Sequence, residues 1–194
     1  SHSGVMLLAP LFFVKVLGFS PWKMGIYVSV FYVGRVFFAP LAGRFSDVFD
    51  PRSFLVFGNL CLAASLFWLS RLGVGAEEWS ILLVMFIAGV GSAFCEPVVT
   101  SVIMGSVPRD RLGTASASVA TGRQLAFAVG LAASGAIFAV RERVNLSEMV
   151  VHGVALEVAE IEAVVIGFSD TLLYGAPLPV IAAVLSLYLR KSTT

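Results

Sequence analysis

The sequence predicts an all-α, polytopic membrane protein, and three observations point to that class. Of its 194 residues, 58% are hydrophobic and only 13% are charged, whereas soluble domains average about 45–50% apolar and about 25% charged residues. The apolar residues form runs close to the 20 or so that a membrane-spanning helix needs. Alternating, strand-like segments are absent from the sequence, which argues against a membrane barrel. A soluble fold of this size could not bury so much apolar surface.

Six apolar runs are candidate membrane-spanning helices. The first run is short, the fourth is interrupted by Glu96 and Pro97, and the last contains Pro177 and Pro179. We expect one six-helix transmembrane domain over residues 1–194, with helices at about 4–17, 24–42, 53–70, 79–107, 114–140 and 165–189. Segment 141–164 is expected to be an extracytoplasmic loop, with a helix lying on the outer surface from about Asn145 to Val164. A seventh span is not expected there, because each of its several glutamates would cost a few kcal/mol in hydrocarbon.

The charges of the predicted loops alternate along the chain. The turns at 43–52 and 108–111 and the tail after residue 189 each carry two Lys or Arg residues, whereas the loops at 71–80 and 141–164 have more acidic than basic residues. Because cytoplasmic loops favour Lys and Arg, we expect both termini and both basic turns in the cytoplasm. The inverted topology is the alternative.

Several functional classes find no support in the residues. A net charge of +1 gives no indication of a nucleic-acid partner. Cys61 and Cys95 lie within apolar runs and are interpreted as reduced packing residues. His2 and His152 lie far apart, so we expect no metal site, and the residues suggest no cofactor. The spans carry no Ser/His pair and no paired-Asp motif, so we expect no catalytic residues and no enzyme activity.

Ionisable residues at membrane depth are functional candidates by default. Glu96 is the strongest candidate, because it lies well inside the fourth run, just before Pro97, whose missing N–H tends to kink a helix. A carboxylate there can bind and release a proton as its surroundings change, and it would attract a cationic compound. The alternative is a structural ion pair of Glu96 with Arg123 or Arg35. We therefore treat Glu96, Arg123 and Arg35 as candidates for proton or substrate coupling.

The densest group of charges lies between the second and third runs. Its members are Gly43, Arg44, Asp47, Asp50 and Arg52. A glycine permits close backbone approach at a tight turn, and a carboxylate is stabilised near the first N–H groups of a helix. One interpretation is a latch in which Asp47 pairs with an arginine. The other is that these charges set the orientation of the helices in the membrane and that a carboxylate caps a helix. Both interpretations remain open.

This charged turn resembles a known family motif. Gly43, three further residues, Asp47 and then Arg52 resemble the loop between the second and third helices in one half of a major facilitator superfamily transporter. The Asp50-Pro51-Arg52 variant is similar to the second copy of that loop in fourteen-helix drug:proton antiporters. The chain departs from the motif at Val48, Asp50 and Pro51.

Two later stretches resemble the same exporters. The basic turn at 107–116 is one, and the stretch that begins Gly122-Arg123 is the other, although the chain has Ala126-Phe127 where the family commonly has two glycines. The resemblance implies the C-terminal half of a major facilitator fold, and the chain therefore looks like a fragment or a shortened product of a longer transporter.

The function implied by the resemblance is secondary active transport. The transporter would export amphipathic or cationic compounds by proton antiport through alternating access, in a bacterial cytoplasmic (inner) membrane. Its partners would be a small amphipathic substrate, protons, the lipid bilayer, and an N-terminal half or second copy needed for transport. The alternative is a non-transporting membrane module, either a remnant or a half that must assemble with a partner.

Small residues recur every fourth position in the fifth run. Ala126, Gly130 and Ser134 form one such column, and small side chains at this spacing let helices approach closely. In the family the second and fifth helices of each half face the other half, so the resemblance implies that this column lies at the interface between halves. Packing within this bundle is the alternative.

Overall fold

The computed structural model describes residues 9–10, 12–46, 50–73 and 75–187, and every regular element in these ranges is a helix. The all-α class is therefore confirmed. Five helical stretches are long and apolar enough to cross a membrane. The helices are α1 (residues 9–10 and 12–15), α2 (Pro21–Ser46), α3 (Pro51–Ser70), α4 (Glu78–Gly105), α5 (Leu112–Val151), α6 (Leu156–Gly175) and α7 (Pro177–Leu187), with a 3₁₀ turn at Arg109–Arg111 before α5.

Two helix boundaries follow directly from proline. Pro51 is the first residue of α3, where its missing N–H costs nothing and its fixed φ suits a helix. Pro177 begins α7, and the single predicted helix at 165–189 is therefore two helices separated at Ala176. The reason is that Pro177 lacks an N–H and its ring clashes with the carbonyl group four residues before it, whereas Ala176 keeps helical backbone angles, with φ −62° and ψ −34°.

Segment 141–164, in which the sequence predicts a surface helix from about residue 145, is helical except for a short turn and continues the helices on either side. α5 continues for 40 residues to Val151, and α6 begins at Leu156 after a short turn in which Gly153 has a φ of +80°. A 40-residue helix is about 60 Å long, roughly twice the thickness of a hydrocarbon core. Charged residues exclude a segment from hydrocarbon but do not end a helix, so α5 and α6 form a long helical hairpin.

α4 lies between α2 and α3 because two of its glycines let both neighbours approach closely. A Cβ on Gly89 would clash with the carbonyl oxygen of Phe31 in α2. A Cβ on Gly91 would lie 2.8 Å from the carbonyl oxygen of Gly58 in α3. Two residues span about 200° of a helix, so these contacts lie on nearly opposite sides of α4. This close packing was not predicted from the sequence, although the Gly-Val-Gly at 89–91 indicates it.

The hydrophobic core lies near the ends at which α2 and α4 begin. The ring of Phe12 stacks on that of Phe168 with centroids 4.3 Å apart, which joins α1 to α6. Around them are other fully buried side chains from α1, α2, α3 and α4, namely Phe13, Phe31, Leu69, Ile81 and Val84.

α5 and α2 contribute least to this core. Half of the apolar window of α4 is buried, but only 17% of that of α2 and 6% of that of α5. Nearly every side chain between Leu112 and Val129 is exposed or only partly covered. α5 packs mainly against α6 and touches α4 only lightly. The described helices therefore leave long apolar faces of α2 and α5 uncovered.

We predict that Gly89→Ala lowers the stability of the bundle, because the new methyl group must push α2 away from α4. Overpacking of this kind costs about 1–3 kcal/mol. The measurement is the thermal unfolding midpoint of the purified protein in detergent. Gly25→Ala is the matched control, because a Cβ at Gly25 in α2 meets no atom within 4 Å. Equal midpoints for the two variants would contradict the assigned role of Gly89.

Candidate functional site

The structure brings the three predicted intramembrane charges together from three helices. Arg35 of α2 donates a hydrogen bond from Nη2 to Oε2 of Glu96 in α4. Arg123 of α5 places Nη1 4.0 Å from the same carboxylate oxygen. Arg123 also donates from Nη2 to Oγ1 of Thr100 at 3.1 Å. We call Arg35, Glu96, Thr100 and Arg123 the Glu96 cluster.

Local sequence explains how the cluster is positioned. The contact between α2 and α4 at Gly89 also brings the backbone N of Arg35 within 3.3 Å of the Cβ position of Gly89, so the Arg35 side chain starts close to α4. Thr100 lies one turn after Glu96, and its hydroxyl donates to the Glu96 carbonyl oxygen at 2.9 Å. α4 remains one helix through Pro97.

The three charged residues lie at a similar distance from one end of the bundle. Glu96 precedes the end of α4 at Gly105, Arg35 precedes the end of α2 at Ser46, and Arg123 follows the start of α5. At 1.5 Å per residue these separations are about 14 to 17 Å. A hydrocarbon core is about 30 Å thick, so the spacing matches a depth near the middle of a membrane.

The cluster contains two guanidiniums and one carboxylate, so it carries an excess of one positive charge. The side chains of Arg35 and Glu96 are 33% and 31% exposed, and that of Arg123 is 52% exposed. A buried charge is costly unless it is paired, and Glu96 has two partners. The structural ion pair considered for Glu96 therefore exists with Arg35 directly and with Arg123 at the longer distance.

The charged turn at 43–52 is described only in part. Asp50 is the N-cap of α3, where its Oδ1 accepts a hydrogen bond from the Arg52 backbone N–H at 3.1 Å, and Arg52 Nε lies 3.9 Å from the same oxygen. Arg44 is exposed, and a Cβ on Gly43 would meet no atom within 4 Å. Asp47 lies outside the described residues, so its latch role remains a prediction.

The predicted interface column in α5 divides between two environments. Gly130 and Ser134 line a cavity of about 90 Å³ together with residues of α3, α6 and α7. Ala126 is exposed. A second column, at Ala128, Ala132 and Ala136, is exposed along its length and lies about 200° around α5 from the cavity-lining pair.

Other polar contacts occur at the opposite end of the bundle, and the sequence analysis did not identify them. Lys23 at the start of α2 forms an ion pair with Glu78 at the start of α4, and the Tyr27 hydroxyl donates to Glu78 at 2.9 Å. In the hairpin, Arg141 Nε lies 2.8 Å from Asp170 Oδ2. The loop alternation was the available signal, since it places Lys23 and Glu78 at the same end.

A metal centre finds no support in the described ranges, where no three His, Cys, Asp or Glu side chains come close enough together to hold an ion. The chemistry that the described contacts show at the Glu96 cluster is charge pairing.

Comparison with known proteins assigns the family. The sequence model of the family described as the Major Facilitator Superfamily matches residues 1–142 of this chain. The chain is 27% identical over 132 residues to a tetracycline resistance determinant of Streptomyces rimosus, covering 66% of this chain and 38% of that protein. It is 30% identical over 142 residues to multidrug resistance protein 2 of Bacillus subtilis, which covers 69% of this chain and 33% of that protein.

A third relative aligns over nearly the whole chain. The lincomycin resistance protein LmrB of Listeria monocytogenes is 22% identical over 187 residues, which covers 96% of this chain and 39% of that protein. The chain thus spans less than two fifths of the length of each of these three relatives. Both the matched region and the all-helical architecture agree with half of such a transporter. The chain is an integral membrane protein that belongs to the major facilitator superfamily, a family of transporters rather than enzymes.

Proposed function

We propose that the protein exports amphipathic or cationic small molecules in exchange for protons, by alternating access. The observation that carries the proposal is the Glu96 cluster, a carboxylate bound by arginines from two other helices. A carboxylate that can gain a proton within a membrane is the group that a proton-driven exporter needs. The substrate class is supported by the relatives, whose names record resistance to tetracycline, to lincomycin and to multiple drugs.

Protonation of Glu96 would change how α5 is held. The ionised carboxylate attracts both arginines, and charge-assisted hydrogen bonds of this type are about twice as strong as neutral ones. A neutral carboxyl group loses that attraction. The first half of α5 has few other contacts with α4, so the loss of the Arg123 attraction frees it to move. Proton binding and the position of α5 are coupled in this way.

Transport by this mechanism requires a second helical bundle. The exposed side chains on α2 include Val36 and Phe37, at 67% and 69% exposure, and α5 exposes the Ala128, Ala132 and Ala136 column. Transporters of this kind enclose their substrate between two repeats that rock against each other. We propose that α2 and α5 face an N-terminal half or a second copy, and that Asp47 with Arg44 and Arg52 steadies one of the two conformations.

A second candidate is a non-transporting membrane module that assembles with a partner, which the uncovered apolar faces of α2 and α5 favour. Native mass measurement in detergent separates the two candidates. A strict monomer consisting of this chain alone cannot transport by rocking of two halves. A dimer, or a longer protein that contains both halves, agrees with the transport proposal.

The proposed location is a bacterial cytoplasmic membrane, with the turns near Arg44 and Arg109 in the cytoplasm and the connected ends of α5 and α6, at about residues 141–164, outside. The support is the distribution of charge, because cytoplasmic loops favour Lys and Arg.

Replacing Glu96 with Gln is expected to uncouple export from the proton gradient, because an amide cannot ionise. The measurement is pH-gradient-driven dye efflux from membrane vesicles. We expect a rate loss of about tenfold or more, which corresponds to at least about 1.4 kcal/mol in the barrier. Glu148→Gln, at an exposed position in the hairpin, is the control and retains coupling. Unchanged coupling in Glu96→Gln would exclude this carboxylate as the proton site.

Bulk added to the exposed α5 column is expected to block transport. Ala132→Trp would hold the proposed partner bundle away from α5, and the expected result is loss of efflux with normal expression in the membrane. Ala182→Trp, at an exposed position of α7, adds the same volume elsewhere and leaves efflux intact. Full activity of Ala132→Trp would show that this face does not meet another bundle.

The orientation is tested with single introduced cysteines and a membrane-impermeant maleimide. Ser147→Cys, exposed in the hairpin, is expected to react from outside intact cells. Ser106→Cys, exposed after α4, is expected to react only after the cells are opened. The parent protein, whose two cysteines lie within apolar helices, is the control. The reverse pattern would establish the inverted topology.

A further inference from the structure

The charge balance of the Glu96 cluster bears on which compounds the site accepts. Glu96 is the one anion of the cluster, and it is already held by Arg35 and attracted by Arg123. A cationic compound would have to approach the same carboxylate past two guanidiniums, and like charges repel strongly at short range away from bulk water. The geometry therefore disfavours direct binding of a cation.

Arg123 has binding capacity that its described contacts leave unused. A guanidinium has five N–H donors, and within the described residues Arg123 makes one hydrogen bond, to Thr100. Its nearest carboxylate oxygen lies 4.0 Å away, too far for a hydrogen bond. Its side chain is half exposed. An arginine of this kind can receive a planar anion through two parallel hydrogen bonds.

An apolar surface lies beside this cation. Phe127 is one turn after Arg123, so the two side chains share a face of α5, and the Phe127 side chain is 41% exposed. An aromatic ring one turn from a guanidinium suits a molecule with an anionic group and an aromatic or apolar body.

We infer that Arg123 and Phe127 form a subsite for amphipathic compounds that carry an anionic group such as a carboxylate. The guanidinium of Arg123 binds the anion and the ring of Phe127 packs against the apolar body. Glu96 competes with the bound anion for the same guanidinium. This inference rests on the proposed export function and, among the amphipathic or cationic compounds named there, selects amphipathic compounds that carry an anionic group.

The test is binding of three matched probes, pyrenebutanoate, pyrenebutanamide and pyrenebutylamine, which share an apolar body and differ in charge. The full-length protein is placed in nanodiscs of phosphatidylcholine, so that no lipid of net negative charge competes, and empty nanodiscs correct for partitioning. We expect pyrenebutanoate to bind about tenfold or more tightly than the neutral amide, as a charge-assisted pair should, and the amine to bind most weakly. Preference for the amine, or equal binding of all three, would overturn the inference.

Four variants separate a binding role from a structural one. Arg123→Gln should remove the preference for pyrenebutanoate over the amide, and Arg123→Lys should retain part of it because the charge remains. Phe127→Ala should weaken all three probes equally, because it removes apolar contact and no charge. Arg143→Gln, an exposed arginine of the same helix, should keep the preference. An unchanged ratio in Arg123→Gln would overturn the inference.

Glu96→Gln is expected to change the affinity for pyrenebutanoate in the direction opposite to Arg123→Gln. Removal of the competing carboxylate should tighten pyrenebutanoate binding by about tenfold, the effect of about one lost ion pair, although the same variant is expected to lose proton coupling. Weaker pyrenebutanoate binding in Glu96→Gln would contradict the inferred competition between Glu96 and the bound carboxylate for Arg123. The export proposal fails separately, if no compound moves in response to a proton gradient while the charge preference in binding persists.

Discussion

The close contact of α4 with α2 and α3 is the constraint on which the rest of the structure depends. Gly89 and Gly91 remove the side chains that would hold these helices apart, and small residues at such crossings are the usual means of helix association in membranes. The same contact places Arg35 beside Glu96. The close packing of α2 on α4 thus brings Arg35 and Glu96 within reach of each other.

The position of α5 depends on much weaker forces. Its second half packs on α6, where Gly167 allows the α5 backbone at Glu142 to approach. Its first half is attached to α4 through little more than Arg123 and its neighbours Glu96 and Thr100. A firmly packed core and a lightly attached helix therefore meet at one carboxylate, that of Glu96.

The sequence predicted the helical class, the approximate spans and the identity of the charged cluster, since apolar run length and intramembrane charge are local properties. It left open whether Glu96 pairs with Arg35 or Arg123, because that choice depends on how three helices cross. It predicted a separate surface helix within 141–164, because the glutamates there exclude hydrocarbon. It did not predict that this segment continues α5 and α6, because the pairing of those helices depends on side-chain packing and on the Arg141–Asp170 pair. The α4 glycines were missed because their role appears only when their neighbours are in place.

The excess positive charge of the Glu96 cluster limits how the proposed coupling between proton binding and compound binding could operate. When Glu96 is ionised it offsets one of the two arginines, and when it is protonated both arginines lack a partner. Two unpaired guanidiniums at membrane depth are costly, so protonation of Glu96 is favoured when another anion takes its place. An anionic compound at Arg123 would then promote proton uptake in the same state. Exchange of compound for proton needs the two to be bound in different conformations, because ligands that promote each other's binding in one state would travel together. A change in the distance between Arg123 and Glu96 would supply that difference.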